Sequence, residues 1–243
     1  MTKTSRILII ATVLVAGAHV EAGAQSSSAP ASLGFVNINV GAQPATRSIE
    51  KQETRSVFGE TATLSASQPI KNGAIFDMSA GYRVWHGLAI AIGYTHLGST
   101  SDSTAVGVIP DPLIFDRPKT VTATQTGLGH SENGIHLQAV WFLPIDDKID
   151  VALSIGPSFI RVKQELVSAF VIPPGTQNLS LTVGTEEGTA TGINVGVDGN
   201  YLFTRNFGAG IFIRYAGGSV DLPSAPDLHV GGFQIGIGAR VRF

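Results

Sequence analysis

The last fifteen residues, 229–243, alternate between apolar positions and polar or small ones. Over six consecutive alternate positions one face is wholly apolar: Phe233, Ile235, Ile237, Ala239, Val241 and Phe243. The other face carries Gln234, Arg240 and Arg242 among glycines. A period of two predicts a β-strand with two unlike faces. Lipid on the outside and a polar lumen on the inside satisfy both faces, so this strand predicts a transmembrane β-barrel.

The same alternation recurs along the chain and predicts eight strands. They cover 33–41, 74–84, 88–95, 135–143, 149–162, 189–203, 207–220 and 229–243. Short turns near 85–87, 144–148 and 204–206 alternate with long connections at 42–72, 97–131, 164–187 and 221–228. This alternation is typical of an antiparallel, up-and-down, all-β barrel with short periplasmic turns and longer outer loops.

Two of the long connections contain features that bear on their structure. The segment 97–131 contains three prolines, which disfavour a central strand and predict a loop. The segment 42–72 contains a second alternating stretch around 54–66. It is interpreted either as an excursion in which the barrel strands project beyond the bilayer or as an added hairpin.

Aromatic residues cluster near the short turns and the C-terminus, which predicts one aromatic girdle at that membrane interface. They are Tyr82, Trp85, Trp141, Tyr201, Phe203, Phe207 and Phe243.

The N-terminus has the features of a secretory signal peptide. Lys3 and Arg6 precede an apolar run over 7–18, which is too short to span a bilayer, and Ala22 and Ala24 form an A-x-A-like site. We therefore expect a signal peptide over 1–24 that is cleaved after Ala24, a short leader over 25–32 and a barrel domain over 33–243.

Composition narrows the possible chemistry. The balance of 16 Lys and Arg against 18 Asp and Glu gives no basic surface for nucleic acid. Cysteine is absent, and the six histidines show no metal-ligand spacing, so neither a cofactor nor a metal site is predicted. The 29 glycines fit an inner barrel wall that leaves room for larger lumenal side chains.

The C-terminal sequence Ala239-Arg240-Val241-Arg242-Phe243, which ends on an aromatic residue, resembles the closing strand of bacterial outer-membrane β-barrels. The chain as a whole is similar to small barrels of the OmpA, OmpX and OmpW type. That resemblance implies an outer-membrane location with both termini in the periplasm. It also implies that Ala239, Val241 and Phe243 form an assembly signal, and that the partners are outer-membrane lipid, the barrel-assembly machinery and periplasmic chaperones.

The alternation also predicts which charged side chains point into the lumen. They are Asp77, Arg83, Glu132, His136, Asp198, Arg214, Arg240 and Arg242. One interpretation is an internal salt-bridge network that rigidifies the barrel, because unpaired buried charges are costly. The other is the selectivity lining of a water-filled path.

No catalytic residues are predicted. His130, Ser131 and Glu132 superficially offer a base, a nucleophile and an orienting group, but adjacent residues of one strand point to opposite faces.

We therefore expect a non-enzymatic outer-membrane barrel with a structural or surface-interaction role. A narrow channel for small solutes or hydrophobic compounds is the alternative. A third hypothesis, a loop-borne adhesin, rests on the proline-rich segment 109–118. The main alternative fold, a soluble lipocalin-like barrel, predicts polar outer faces and an apolar lumen. The sequence does not predict the oligomeric state.

Overall fold

A computed structural model describes residues 33–44 and 47–243, and the predicted signal peptide and leader lie outside these residues. The described chain forms one antiparallel sheet of ten strands. The strands are β1 (Gly34–Gln43), β2 (Arg47–Val57), β3 (Glu60–Ile70), β4 (Gly73–Trp85), β5 (Leu88–Ile109), β6 (Lys119–Pro144), β7 (Ile149–Val171), β8 (Ser180–Leu202), β9 (Phe207–Leu222) and β10 (Ala225–Arg242). No helix in this part of the chain is long and apolar enough to cross a membrane.

Eight of the ten strands close into a ring. Its order is β1, β4, β5, β6, β7, β8, β9 and β10, and β10 closes the ring by pairing with β1 from Arg242 opposite Phe35 to Ile235 opposite Ala42. The predicted eight-stranded antiparallel barrel is therefore confirmed.

The remaining two strands, β2 and β3, show whether the segment 42–72 extends the barrel strands or adds a hairpin. β2 and β3 pair with each other around a turn at Phe58 and Gly59, and β3 pairs with β5 from Thr63 opposite Val108 to Ser67 opposite Thr104. A hairpin is thus added to the sheet. It lies at the end of the barrel away from the short turns, which we call the loop end, the opposite end being the turn end.

The prediction that 97–131 is a loop throughout is wrong. β5 continues to Ile109, β6 begins at Lys119, and only 110–118 is a loop. All three prolines of the segment lie within this loop, so none interrupts a ladder, and the flanking Ser and Thr residues suit strands. The connections 164–187 and 221–228 likewise shrink to 172–179 and 223–224. β6 has 26 residues, whereas about 9–11 residues of strand span a bilayer, so the sheet projects well beyond it.

The two faces of the ring differ as the sequence predicts. Apolar residues such as Ile90, Ile193 and Ile211 are about 60% exposed on the outside, whereas Arg240 and Asn194 are fully buried on the inside. A lipocalin-like barrel would show the reverse arrangement.

The predicted girdle residues are exposed at the turn end. A second girdle of exposed aromatics lies at the opposite boundary of the apolar belt: Phe76, Tyr94, Phe159, Tyr215 and Phe233. We take the strand segments between the two girdles as the membrane-spanning part.

Beyond the second girdle, apolar side chains fill the interior of the projecting sheet. One cluster joins Ile49 and Ile70 of the added hairpin to Val162, Leu222 and Leu228 of the ring. Another cluster joins Leu64 of β3 to Phe170 of β7. These cores make the loop end a folded extension of the barrel.

Candidate functional site

The lumen contains a first polar cluster built around Arg240, which is fully buried. Its guanidinium donates to Asn200 Oδ1 at 2.5 Å, to Asn39 Oδ1 at 2.6 Å and to Asp198 Oδ1 at 2.8 Å. Three different strands, β1, β8 and β10, supply these groups, so the cluster joins strands that are not all neighbours in the sheet.

A second cluster surrounds the ion pair of Asp77 and Arg214. Arg214 Nη2 lies 2.7 Å from Asp77 Oδ2 and also donates to Thr95, while Nε donates to Gln234. Asn39 connects the two clusters, because its amide donates to Asp77 at 2.7 Å while its oxygen accepts from Arg240.

His136 extends the second cluster along the barrel wall. Its Nε2 contacts Thr95 Oγ1 at 3.0 Å, and its Nδ1 contacts Ser158 Oγ at 2.7 Å. Asn194 donates to the same Ser158 hydroxyl. The arrangement contains a serine, a histidine and, through Thr95, the carboxylate of Asp77, yet Ser158 is fully buried, so a substrate has no access to its hydroxyl.

Aromatic rings occupy the lumen at the turn end. Phe35 and Phe142 meet edge to face with ring centroids 5.2 Å apart. The guanidiniums of Arg83 and Arg242 lie 4.4 Å and 4.8 Å from the centroid of Phe142, close enough for cation–π attraction. Asp150 lies 3.8 Å from Arg242 and supplies the nearby negative charge.

Little free volume remains between these groups. A cavity of about 40 Å³ touches both polar clusters and the aromatic pair, including Asn39, Asp77 and Phe142. Such a volume holds only a few water molecules. The membrane-spanning lumen is therefore packed with side chains.

A third polar cluster closes the lumen just beyond the second girdle, and we call it the mouth cluster. Glu132 accepts hydrogen bonds from Arg47 at 3.0 Å, His130 at 3.0 Å, Gln43 at 3.2 Å and the backbone N–H of Gly231 at 2.9 Å. Burial alone would raise the pKa of Glu132, but the hydrogen bond and charge of His130, with the charge of Arg47, hold this pKa below its usual value.

The ring of His130 lies between two side chains that carry acceptor oxygens. Its Nδ1 lies 2.6 Å from Gln164 Oε1 and its Nε2 lies 3.0 Å from Glu132 Oε1. The amide nitrogen of Gln164 donates to Glu165 O, so the amide oxygen is the atom that faces the ring. Both ring nitrogens therefore face acceptor oxygens.

Three cations of β2 reach across the mouth from one face of the strand. Arg47 donates to the backbone oxygen of His229, Lys51 donates to that of Ser168, and Arg55 donates to that of Phe170 at 3.0 Å. They are spaced four residues apart, so they share one face. In the sheet, β2 pairs only with β3. Side-chain contacts thus hold the strand on its unpaired side.

The structure divides the predicted lumenal residues between these clusters. Asp77, Arg214 and His136 meet in one, Asp198 and Arg240 meet in another, and Arg83 and Arg242 flank Phe142. Glu132 lies apart from them in the mouth cluster.

Two groups of site residues were absent from the predicted lumenal set. The period-two alternation already placed Asn39, Thr95 and Gln234 on the inward face, but the set kept only charged residues and His136. Gln43 and Arg47 were not predicted at all. Gln43 and Arg47 both contact Glu132, and these contacts depend on the path of the added hairpin.

The predicted assembly-signal residues lie on the outward side of β10. Phe243 is 66% exposed, and its backbone pairs with Gly34 through two hydrogen bonds of 2.7 Å and 3.0 Å. Their recognition by an assembly machinery stays a prediction. Within the described ranges, no three or more His, Cys, Asp or Glu residues are grouped to hold a metal ion.

The chain is similar to known proteins in structure but not in sequence. No known protein family matches the sequence, and no curated protein matches it. Among solved structures, the chain is similar to Neisserial surface protein A, at 16% identity over 86% of this chain and 97% of that chain, with a TM-score of 0.46.

Two further solved structures resemble it in the same way. One is Ail, the attachment invasion locus protein of Yersinia pestis, with 13% identity, coverage of 86% and 99% of the two chains and a TM-score of 0.40. The other is the outer membrane protein OprG from Pseudomonas aeruginosa, with 6% identity, coverage of 88% and 96% and a TM-score of 0.46.

Proposed function

We propose that this chain is a non-enzymatic barrel of the bacterial outer membrane whose lumen is closed and whose function lies in the envelope and at the cell surface. The packing of the membrane-spanning lumen by the clusters of Arg240 and Arg214 carries the proposal. A buried, hydrogen-bonded charge network of this kind favours rigidity over transport.

The orientation is part of the proposal. The apolar belt between the two girdles matches a bilayer, and short turns lie at one end of the barrel while the strands project at the other. We place the loop end outside the cell and both termini in the periplasm, where chaperones would deliver the chain to the barrel-assembly machinery. Deleting Phe243 should then lower the amount of assembled barrel in cells, and an unchanged amount would contradict an assembly role for this residue.

The closed lumen is tested by ion and small-solute flux into liposomes that contain the refolded protein. We expect no flux above that of empty liposomes from wild-type protein whose folding is verified by the mobility difference between boiled and unboiled samples. Phe142→Ala removes one ring of the aromatic pair but leaves the polar clusters in place, so it should remain closed as well. Steady flux through the wild type would overturn the closed barrel and favour the channel alternative.

A second candidate function, binding of a partner protein at the loop end, is favoured by the 110–118 loop. Leu113 and Phe115 are 90% and 74% exposed. Asp111 Oδ1 accepts the N–H groups of Leu113 and Ile114, and the N–H of Asp116 donates to Glu60, so the tip is held in place. A preorganised apolar tip loses little conformational entropy on binding.

Binding through this tip is tested with cells that display the barrel and immobilised extracellular proteins. Leu113→Ser with Phe115→Ser should abolish retention, whereas Ile145→Ser at the turn end, where Ile145 is 67% exposed, should leave it unchanged. Equal retention by both variants would contradict this second function.

A further inference from the structure

Two exposed cations lie on the outer surface of β7 just beyond the second girdle. Phe159 belongs to that girdle, and the next two outward residues of β7 are Arg161 and Lys163. Their side chains are 69% and 56% exposed. Neighbouring strands present uncharged Asn133 and Thr189 at the level of Arg161. Two cations therefore stand where the apolar belt ends, at the level of lipid headgroups.

One carboxylate holds the two cations side by side. Glu187 Oε2 lies 2.6 Å from Arg161 and Glu187 Oε1 lies 3.4 Å from Lys163. The hydrogen bonds from Arg161 and Lys163 hold the pKa of Glu187 below its usual value, so it is ionised at neutral pH. The nearby carboxylate of Glu165 accepts the backbone N–H of Gly129 at 2.8 Å, so Glu187 is the carboxylate that contacts the two cations. Guanidinium and ammonium groups both suit phosphate oxygens.

A groove adjoins Lys163 on the side away from Glu187, and Ser99, Thr100 and Ser131 are among its lining residues. It has a volume of about 540 Å³ and is lined by Gly98, Thr100, Gly129, Ser131, Lys163 and Glu165. It forms because β6 and β7, within the described residues, pair no further than His130 opposite Gln164. A Cβ at Gly98 would meet only the ring of His96, at 3.9 Å, so packing does not fill the groove floor.

These features form a vertical sequence along the barrel wall. Ile135, Phe159 and the ring of Tyr94 lie lowest. The Tyr94 hydroxyl donates to Asn133 above them at 2.9 Å, and the cations and the groove lie highest. Acyl chains, a phosphate and a hydroxylated headgroup have the same order in a phosphorylated glycolipid.

We propose that Arg161 and Lys163 bind the phosphate of an outer-leaflet glycolipid and that the groove beside Lys163 receives its sugar headgroup. The site rests on the proposed orientation, because only then does the loop end face the outer leaflet. It gives the closed barrel a defined lipid partner that would anchor it in the envelope.

The test measures retention of a diphosphorylated acylated glucosamine disaccharide by folded barrel in detergent, using native mass spectrometry. We expect Arg161→Gln with Lys163→Gln to weaken retention about tenfold or more. Arg205→Gln with Lys148→Gln, a matched pair of exposed cations in the turns, should retain the lipid as the wild type does. Equal losses in both double variants, or none in either, would overturn the site.

Three further retention experiments identify the ligand. Glu187→Gln should strengthen retention, because it removes the competing carboxylate; a loss would mean that the trio is only structural. The dephosphorylated glycolipid should bind weakly, and inorganic phosphate at millimolar concentration should not displace the intact lipid; displacement would identify a free-anion site and contradict the lipid proposal.

Gly98→Phe, which fills the groove, should weaken retention of the glycolipid but not retention of phosphatidic acid. Equal effects on both lipids would show that the groove does not bind the sugar headgroup. The flux result is independent of all these arms. A barrel that proves closed but does not retain the lipid would refute the lipid site and leave the proposed function standing.

Discussion

The guanidinium of Arg240 occupies the space in which a side chain at Gly210 would begin. A Cβ on Gly210 would lie 2.6 Å from Arg240 Nε, closer than real contacts allow. The fully buried Arg240 of β10 thus depends on the absence of a side chain on the neighbouring strand β9.

Gly210→Ala should therefore destabilise the barrel by about 1–3 kcal/mol, because the added methyl group displaces Arg240 from its three hydrogen-bond partners. The free energy of unfolding in urea, measured in lipid vesicles, checks this. Gly199→Ala is the control, since a Cβ there meets its nearest atom at 3.7 Å and should change stability by less than about 0.5 kcal/mol. Similar changes in both variants would contradict the steric account.

The ion pair of Asp77 and Arg214 leads to a second prediction. Asp77→Leu should destabilise the barrel by about 3–5 kcal/mol because Arg214 keeps its charge in a buried site without its partner. The double variant Asp77→Leu with Arg214→Met should recover a large part of this loss.

An exposed pair provides the comparison, measured by the same urea unfolding. Lys71 and Asp102 lie 3.5 Å apart with about half of each side chain exposed. Asp102→Asn should cost less than about 1 kcal/mol. If the double variant at 77 and 214 is no more stable than Asp77→Leu alone, the pair is not the source of the effect.

The membrane-spanning strands were predictable because their two environments differ in polarity at every alternate residue. Residues 229–243 show this best, since lipid requires Ile235 and Ile237 outside while the lumen accepts Gln234 and Arg240. The inward direction of the charged side chains follows from the same period, but their pairing depends on the register between strands that are distant in sequence.

The extension at the loop end was not predictable in the same way. Beyond the second girdle the outer face meets water, so Thr122 and Thr124 on β6 alternate with Val121 and Ala123 and resemble an ordinary loop composition. Prolines 110, 112 and 118 correctly indicated a loop, but the sequence did not show that the strands end directly beside them. The second girdle was missed for the same reason, because Phe76 and Phe159 lie far from the three short turns that the sequence predicted.

The contact between Lys51 and the carbonyl of Ser168 gives a third prediction. Lys51→Met should speed hydrogen exchange in β2 and β3 roughly fivefold, because the unpaired side of β2 loses about 1 kcal/mol of support. Exchange in β8 and β9 should not change. Lys119→Met, at an exposed residue that begins β6, is the control. Unchanged exchange in Lys51→Met would show that the apolar cores alone hold the hairpin.

The mouth cluster gives a prediction about pH. The pKa of Glu132 is lowered in the folded protein, so its stabilising effect is present above the unfolded-state pKa and is lost as pH falls through the folded-state pKa. Protonated Glu132 would leave His130 and Arg47 as facing cations. Glu132→Gln should reproduce this state at neutral pH and speed hydrogen exchange in β2 and in 225–232 of β10. Unchanged exchange in both segments of this variant would contradict the role of Glu132 in holding the mouth cluster together.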